Sequence, residues 1–280
     1  MNFVRTTIAG LCVVCVLSIY VWTNRQLAPR TPISANPEFS VRLPIPAQLL
    51  LALGDRYLAA NLNGFNVLIA DTSRMKPEDY AIQAGLQQDI SWFNPFHEDN
   101  YYIAASILSW GGQVPATQTI LRRAGNARTF DYLPLFHYGF NLYHFYNDPV
   151  RGAEALLAAT PRASAVQDQW ALQNIAAQWI ERGYRLDEAA YRVEAMAKSA
   201  PPGNFRRYLA VRAARLRMLE ELRKHALRYQ HISGRKLESI DELVAAGIVA
   251  ALPQDPLKVG FAIGPDGMPI FKNALRKNQP

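Results

Sequence analysis

Cysteine is almost absent from this chain of 280 residues, and its placement excludes a disulfide-stabilised domain. The only two cysteines, Cys12 and Cys15, lie together in the first apolar run. The residues after Cys15 have none, so their stability must come from a packed core. No strand or polar loop signal surrounds the pair. We therefore interpret it as small apolar filler in a helix and not as a redox or metal motif.

Catalytic signatures are missing as well. The sequence contains no G-x-S-x-G, H-E-x-x-H, P-loop or glycine-rich phosphate turn. His137 and His144 would lie about 10 Å apart along a helix axis, which is too far to share one metal ion. Acidic residues after His97 are explained by the preference for negative charge at a helix start. We therefore expect no metal, no cofactor and no enzymatic activity.

Charge is scarce and uneven. Only 19% of the residues are charged and the formal net charge is +7. Ten Lys or Arg against two Glu occur between Gly203 and Lys236, a local charge of +8. Residues 203–230 are predicted to form a long basic amphipathic helix. Its residues Arg212, Arg215 and Arg223 could meet anionic lipid, or the basic side could simply be a solvated face that closes the fold.

One long uncharged run is present at the start of the chain. Thr6–Thr23 has 18 residues without a charge, between Arg5 and Arg25, which is just enough to cross a bilayer. A cleaved signal peptide is the rival interpretation, but no small-x-small site follows. Residues 1–25 are therefore predicted to be a transmembrane anchor, and the proline-rich residues 26–46 a linker. The flanking charges are nearly balanced and do not decide the orientation. Because short N-terminal tails usually stay in the cytoplasm, we expect the body to be periplasmic.

Two similar segments indicate a helical repeat. Trp110–Gly125 and Tyr146–Pro161 start 36 residues apart, and each reads as a turn, a short amphipathic helix and a stop. Self-similarity at this period is typical of stacked helical hairpins. Periodicity and turn signals predict four hairpins over residues 47–202, starting with a long helix from Ala47 to about Asp71.

Leu50, Leu53, Gly54 and Tyr57 have the L-x-x-L-G-x-x-Y spacing, and this part of the chain resembles tetratricopeptide repeats. The resemblance implies an all-α helical-hairpin array in which Gly54 allows a partner helix to approach. The alanine of the second helix has counterparts at Ala116, Gly152 and Ala189, and Pro201 matches the closing proline. The spacing is nearer 36 than 34 residues, and a generic helical bundle is the alternative.

Two polar stripes at i, i+4 and i+7 are the candidate binding residues. The first helices of tetratricopeptide units line a concave groove, so the resemblance implies a groove lined by two stripes and one tyrosine: His137, Asn141, His144, Asn174, Gln178, Glu181 and Tyr101. An alignment that uses Gly139 as the small packing residue would place Phe136 and Phe140 there instead. An ordinary solvated stripe would have the same spacing.

The C-terminal residues 231–280 change character. Ser239–Glu242 is a capping box that opens a short helix ending at Gly247. Two apolar segments around Gly264-Pro265-Asp266-Gly267 then predict a β-hairpin. This run, with Leu252-Pro253 and Asp255-Pro256, resembles the C-terminal module of type II secretion major pseudopilins. The N-terminal segment lacks the pilin leader signature, so we predict a module that caps the helical array.

Taken together, these features predict a bacterial inner-membrane protein that crosses the membrane once. We expect its body to act as a scaffold that binds other envelope proteins through the concave face of the array. Nucleic acid is not an expected partner, because the body would lie outside the cytoplasm. The alternative is an enzyme, or an accessory subunit of one, whose site would use His137, Asn141, His144 and Glu181.

Overall fold

The computed structural model describes residues 12–23, 42–70 and 75–272. It is mainly helical with little sheet, which confirms the predicted all-α class. In chain order the helices are α1 (residues 12–23), α2 (Ile45–Leu51), α3 (Arg56–Leu68), α4 (Pro77–Phe93), α5 (Glu98–Ile103), α6 (Val114–Ala127), α7 (Leu133–His144), α8 (Pro149–Ala159), α9 (Val166–Gly183), α10 (Leu186–Ser199), α11 (Asn204–Ser233) and α12 (Glu242–Ala245). Strands β1 (Phe261–Ile263) and β2 (Pro269–Phe271) pair antiparallel.

The predicted anchor and linker are only partly described. Residues 6–11 of the apolar run and residues 26–41 of the linker lie outside the described ranges. Within those ranges, no helix has both the length and the apolar character that a membrane span requires.

Helix starts follow from local side-chain chemistry. The carboxylate of Asp55 accepts the backbone N–H groups of Tyr57 and Leu58 at the start of α3. Asp148 accepts the N–H of Arg151 at the start of α8. Both capping residues satisfy N–H groups that have no partner within the helix. Proline stands in the first turn of α4, α6, α7 and α8, where its missing N–H costs nothing.

Helices that follow each other in the chain also pack against each other. The pairs α3–α4, α7–α8 and α10–α11 are in close contact, and α6–α7 and α8–α9 join one pair to the next. A π-helical segment, Ala104–Leu108, continues α5 toward α6. We refer to α3, α5, α7 and α9 as the first helices, and to α4, α6, α8 and α10 as the second helices.

Two glycines allow α7 and α8 to cross at close range. A Cβ atom at Gly139 would lie 2.9 Å from the carbonyl oxygen of Gly152 and 2.6 Å from a methyl group of Leu156. A Cβ atom at Gly152 would lie 3.1 Å from both the carbonyl oxygen of Gly139 and the ring of Trp179 on α9. Three helices therefore meet where two side chains are absent.

The first hairpin differs from the sequence prediction. The long helix from Ala47 is wrong, because the chain breaks between α2 and α3. Leu53 and Gly54 both have positive φ, 53° and 84°, and no atom lies within 4 Å of a Cβ built at Gly54. Gly54 thus ends α2 in a left-handed turn and does not admit a partner helix.

The C-terminal module (residues 234–272) packs against the second half of α11. Leu243 of α12 and Leu237 are buried with Leu222 and Tyr229 of α11. Arg223 donates to the carbonyl oxygen of Pro269 at 2.9 Å. The module is therefore held by an apolar cluster and by hydrogen bonds to the strand pair.

Candidate binding face

Aromatic side chains connect α5 and the turn after its π-helical segment with α7, and α9 with α11. The ring centroids of Tyr102 and His137 lie 6.1 Å apart, and those of Trp110 and His144 lie 5.1 Å apart. Trp170 stacks on Phe205 of α11 at 5.6 Å. These distances suit edge-to-face and offset contacts between rings. We name the set the aromatic face: Tyr102, Trp110, His137, Phe140, His144, Trp170 and Phe205.

The aromatic face remains accessible although its rings contact each other. Trp110 is 61% exposed, Trp170 is 41% exposed and Tyr102 is 37% exposed. His137, Phe140 and His144 follow each other at i, i+3 and i+7, so they share one side of α7. That side points away from Gly139, the contact with α8. The first helices therefore present large rings on the side that the second helices leave uncovered.

Two predicted groove residues are buried between hairpins. Tyr101 is fully buried, and its hydroxyl group donates to Asp131 at 2.7 Å. Burial and this carboxylate raise the pKa of Tyr101. Asn141 is 1% exposed and donates from Nδ2 to the hydroxyl oxygen of Ser109 at 2.9 Å. Tyr101 thus joins α5 to the turn before α7, and Asn141 joins α7 to the turn after the π-helical segment. Neither side chain lines a groove.

Two further groove residues contact α11. The hydroxyl group of Tyr208 donates to Asn174 Oδ1 at 3.1 Å, and Arg212 Nε donates to Glu181 Oε1 at 2.7 Å. Burial raises the pKa of Glu181, and the neighbouring Arg212 offsets only part of that effect. Gln178 is exposed on the same helix. Of the second stripe, Gln178 is therefore the most accessible to a ligand.

The two histidines occupy different environments. His137 is half-buried, and burial lowers its pKa although Asp131 acts in the opposite direction. His144 is exposed and stacks on Phe140 with ring centroids 5.4 Å apart. Phe136 and Phe140, which the alternative alignment placed in the groove, are half-buried on the same helix. His144 of the first alignment and Phe140 of the alternative alignment thus lie in contact on α7.

The four residues of the enzyme alternative do not form a catalytic cluster. Asn141 is engaged with Ser109, Glu181 with Arg212 and His144 with Phe140. Within residues 12–23, 42–70 and 75–272, no group of three or more His, Cys, Asp or Glu side chains could hold a metal ion.

The three arginines suggested for lipid contact are engaged within the protein. Arg212 and Arg215 are almost fully buried, in ion pairs with Glu181 and Asp255. Arg223 is half-buried and binds the Pro269 carbonyl oxygen. Two of these three arginines are thus paired with carboxylates inside the protein and the third contacts a neutral carbonyl group, and their contact with lipid stays a prediction.

The sequence does not predict two exposed rings of the aromatic face, Trp110 and Trp170, as binding residues. The signal available for them is the recurrence of an aromatic residue on α5, α7 and α9. The resulting surface is apolar and carries imidazole and indole N–H groups, a composition suited to protein side chains and backbone.

No protein-family model, no curated protein and no solved structure matches this chain.

Proposed function

We propose that this protein is a membrane-anchored scaffold of a bacterial envelope assembly, and that the aromatic face binds a protein partner. In this proposal the four hairpins form a tetratricopeptide-like array, and the C-terminal module caps it. The observation that carries the proposal is the exposure of two tryptophans at the ends of the aromatic face: Trp110, in the turn that follows α5 and its π-helical segment, and Trp170 on α9.

Exposed tryptophan is costly in water and is enriched among the residues that dominate binding energy. Trp110 is supported by His144 and Phe145, with ring centroids 5.1 and 5.0 Å away. Trp170 is supported by Phe205. Rings held in place in this way lose little conformational entropy on binding. A partner segment with apolar side chains and free backbone groups would fit this surface best.

The anchor is the second part of the proposal. Residues 6–23 carry no charge, and the side chains of Val13, Leu17 and Trp22 in α1 are more than half exposed. An apolar helix whose described side chains are exposed along its length is suited to an apolar environment, which a bilayer provides. Inner-membrane placement with a periplasmic body remains the expected topology. A phosphatase reporter fused at the C-terminus tests it, and an inactive reporter would reverse it.

Replacing Trp110 and Trp170 together by alanine is expected to abolish partner binding. Each such ring contributes about 2 kcal/mol or more when it anchors an interface, which is roughly 30-fold in affinity per residue. The measurement is quantitative co-purification from native membranes after mild detergent extraction, with the variant and the natural protein at equal expression.

Trp92→Ala is the matched control, because Trp92 is 52% exposed but lies on a second helix, α4. It should retain the partner in the natural ratio. Equal recovery of the same partner by the double variant and the control would refute the proposed use of the aromatic face. Circular dichroism of both variants shows whether the fold is kept.

A further inference from the structure

The first hairpin carries an exposed apolar surface that the aromatic face does not include. Leu50 and Leu53, at the end of α2 and in the following turn, are 77% and 92% exposed. On α3, Leu58, Leu62, Phe65 and Leu68 are between 41% and 62% exposed. Isolated exposed apolar residues are ordinary, but five leucines and one phenylalanine within 20 residues form a patch that requires an explanation. We name these six residues the leucine face.

Helix α3 buries mainly small residues and exposes most of its large apolar ones. Ala59 and Ala60 are buried with Val67 against α4, and Gly64 is buried beside His97, while the leucine face is exposed. A Cβ atom at Gly64 would lie 3.0 Å from the ring of His97, so the inner side is closely packed. In a water-soluble helix the large apolar side chains normally face the core. Small residues at the helix contact and large residues outside are the arrangement of helices in lipid.

The same surface has very little charge. Between residues 43 and 70 only Asp55 and Arg56 are charged. Asp55 caps α3, and the guanidinium group of Arg56 lies over the Tyr57 ring at 4.7 Å. Protein interfaces are enriched in aromatic residues and arginine and have a polar rim. The polar side chains exposed among the leucine-face residues of α3 are the uncharged amides of Asn61 and Asn66. A large apolar patch with almost no charge, on the part of the body that follows the proposed anchor in the chain, is suited to lipid.

The turn before α3 pushes one leucine outward. Leu53 has a φ of 53°, which side-chain-bearing residues rarely adopt, and Gly54 follows with a φ of 84°. This geometry places the Leu53 side chain almost entirely outside the protein. A projecting leucine beside an apolar helix is suited to insertion into the acyl-chain boundary.

The length of the linker limits how far the leucine face can lie from the proposed anchor. Residues 24–41 separate α1 from Arg42, and 18 residues span about 60 Å at most. The 13 residues of α3 extend about 20 Å, less than the roughly 30 Å thickness of the hydrocarbon core. Helix α3 would therefore lie along the membrane surface and not across it.

We infer that the leucine face of α2 and α3 rests in the interfacial layer of the lipid bilayer and so fixes the orientation of the body against the membrane. The inference depends on the proposed anchor, which brings the body to the bilayer. We assign lipid as the occupant of the leucine face. If a second copy of the chain or another protein covers this face instead, the test below gives a different result.

The test uses the full chain with Cys12→Ser and Cys15→Ser, reconstituted in vesicles of phosphatidylethanolamine and phosphatidylglycerol. A single cysteine is placed at Phe65 and labelled with an environment-sensitive fluorophore, and quenching by spin-labelled lipid is measured. Matched labels are placed at Val16 in α1 and at Tyr191 on α10, which is 70% exposed. We expect the Phe65 label to be quenched at least threefold more than the Tyr191 label, with blue-shifted emission.

The outcomes separate this inference from the anchor itself. Quenching at Val16 together with equal, weak quenching at Phe65 and Tyr191 would keep the anchor and overturn the inference. Weak quenching at Val16 would overturn the anchor. A blue-shifted Phe65 label that lipid does not quench would show that protein covers the leucine face, which also overturns the lipid assignment.

Discussion

Replacing Asp255 by alanine is expected to detach the C-terminal module from α11 and to lower its stability by about 3–5 kcal/mol. The Asp255 carboxylate is 2% exposed and pairs with Arg215, which is itself almost fully buried, at 2.8 Å. Removal of one member of such a pair leaves an uncompensated charge in the interior. That cost is the largest that we expect from any single substitution in this protein.

The carboxylate also organises the chain around itself. It accepts the backbone N–H groups of Leu257, Val259 and Gly260, so alanine would leave three donors without a partner. Arg215 additionally stacks over the ring of Phe271 in β2, with its guanidinium carbon 3.9 Å from the centroid. Loss of Asp255 should therefore release both the loop and the strand pair.

Hydrogen exchange of residues 234–272 measures this effect directly, because the remainder of the body serves as an internal reference. In Asp255→Ala the module amides should exchange at least tenfold faster, while those of α7 and α8 stay unchanged. Asp266→Ala is the matched control, since Asp266 is exposed in the hairpin turn and its carboxylate accepts the N–H of Met268. Unchanged protection of the module in Asp255→Ala would contradict the role of the buried pair.

The same group predicts a pH dependence. Burial alone would raise the pKa of Asp255, but hydrogen bonds from Leu257 and Gly260 and the Arg215 charge outweigh it and hold the pKa below its usual value. A lowered pKa in the folded state means that docking is fully stabilised above about pH 4 and weakens as pH falls toward the folded pKa. In Asp255→Ala this acid-dependent loss of module protection should be absent.

Replacing Gly139 by alanine is the second large effect that we predict. The new methyl group would meet a backbone oxygen, that of Gly152, at 2.9 Å, and no side-chain rotation can relieve such a contact. Separation of α7 from α8 should cost about 1–3 kcal/mol. For a chain of this size that is a fall in melting temperature of roughly 2–10 °C.

Gly125→Ala in α6 is the matched control for this substitution. Its Cβ atom would meet the flexible end of Leu135 at 3.0 Å, a side chain that can move. Alanine also favours the helix by up to about 1 kcal/mol over glycine, so the melting temperature should stay the same or rise slightly. A melting temperature of Gly139→Ala equal to that of the control would show that α7 and α8 are not tightly apposed there.

Local features were predictable because local chemistry determines them. Asn147-Asp148-Pro149 predicts the turn before α8, and Asp148 does cap that helix. The predicted capping box of Ser239 and Glu242 is half formed: the Glu242 carboxylate accepts the N–H of Ser239 at 2.8 Å, but the helix runs only over Glu242–Ala245 and has no side-chain cap. Pro77 and Pro134 stand in the first turns of their helices. Each of these signals depends on residues within a few positions in the chain.

The candidate site was harder to predict because its partners come from distant parts of the chain. Asn141 meets Ser109, 32 residues away, and Glu181 meets Arg212, 31 residues away. Spacing at i, i+4 and i+7 shows that residues share a helix side, but not whether water or another helix lies there. Gly54 illustrates the same limit, since a motif glycine can serve helix packing or a left-handed turn.

The central claim is that the aromatic face binds a protein partner, and site-specific photo-cross-linking in living cells tests it most directly. A benzophenone amino acid would be placed at Trp110 and Trp170 of the aromatic face, and at Trp92 and Tyr191 on second helices. We predict that the first two positions cross-link to the same partner and that the other two do not. Cross-links from Trp92 or Tyr191 alone, with none from Trp110 and Trp170, would contradict the account.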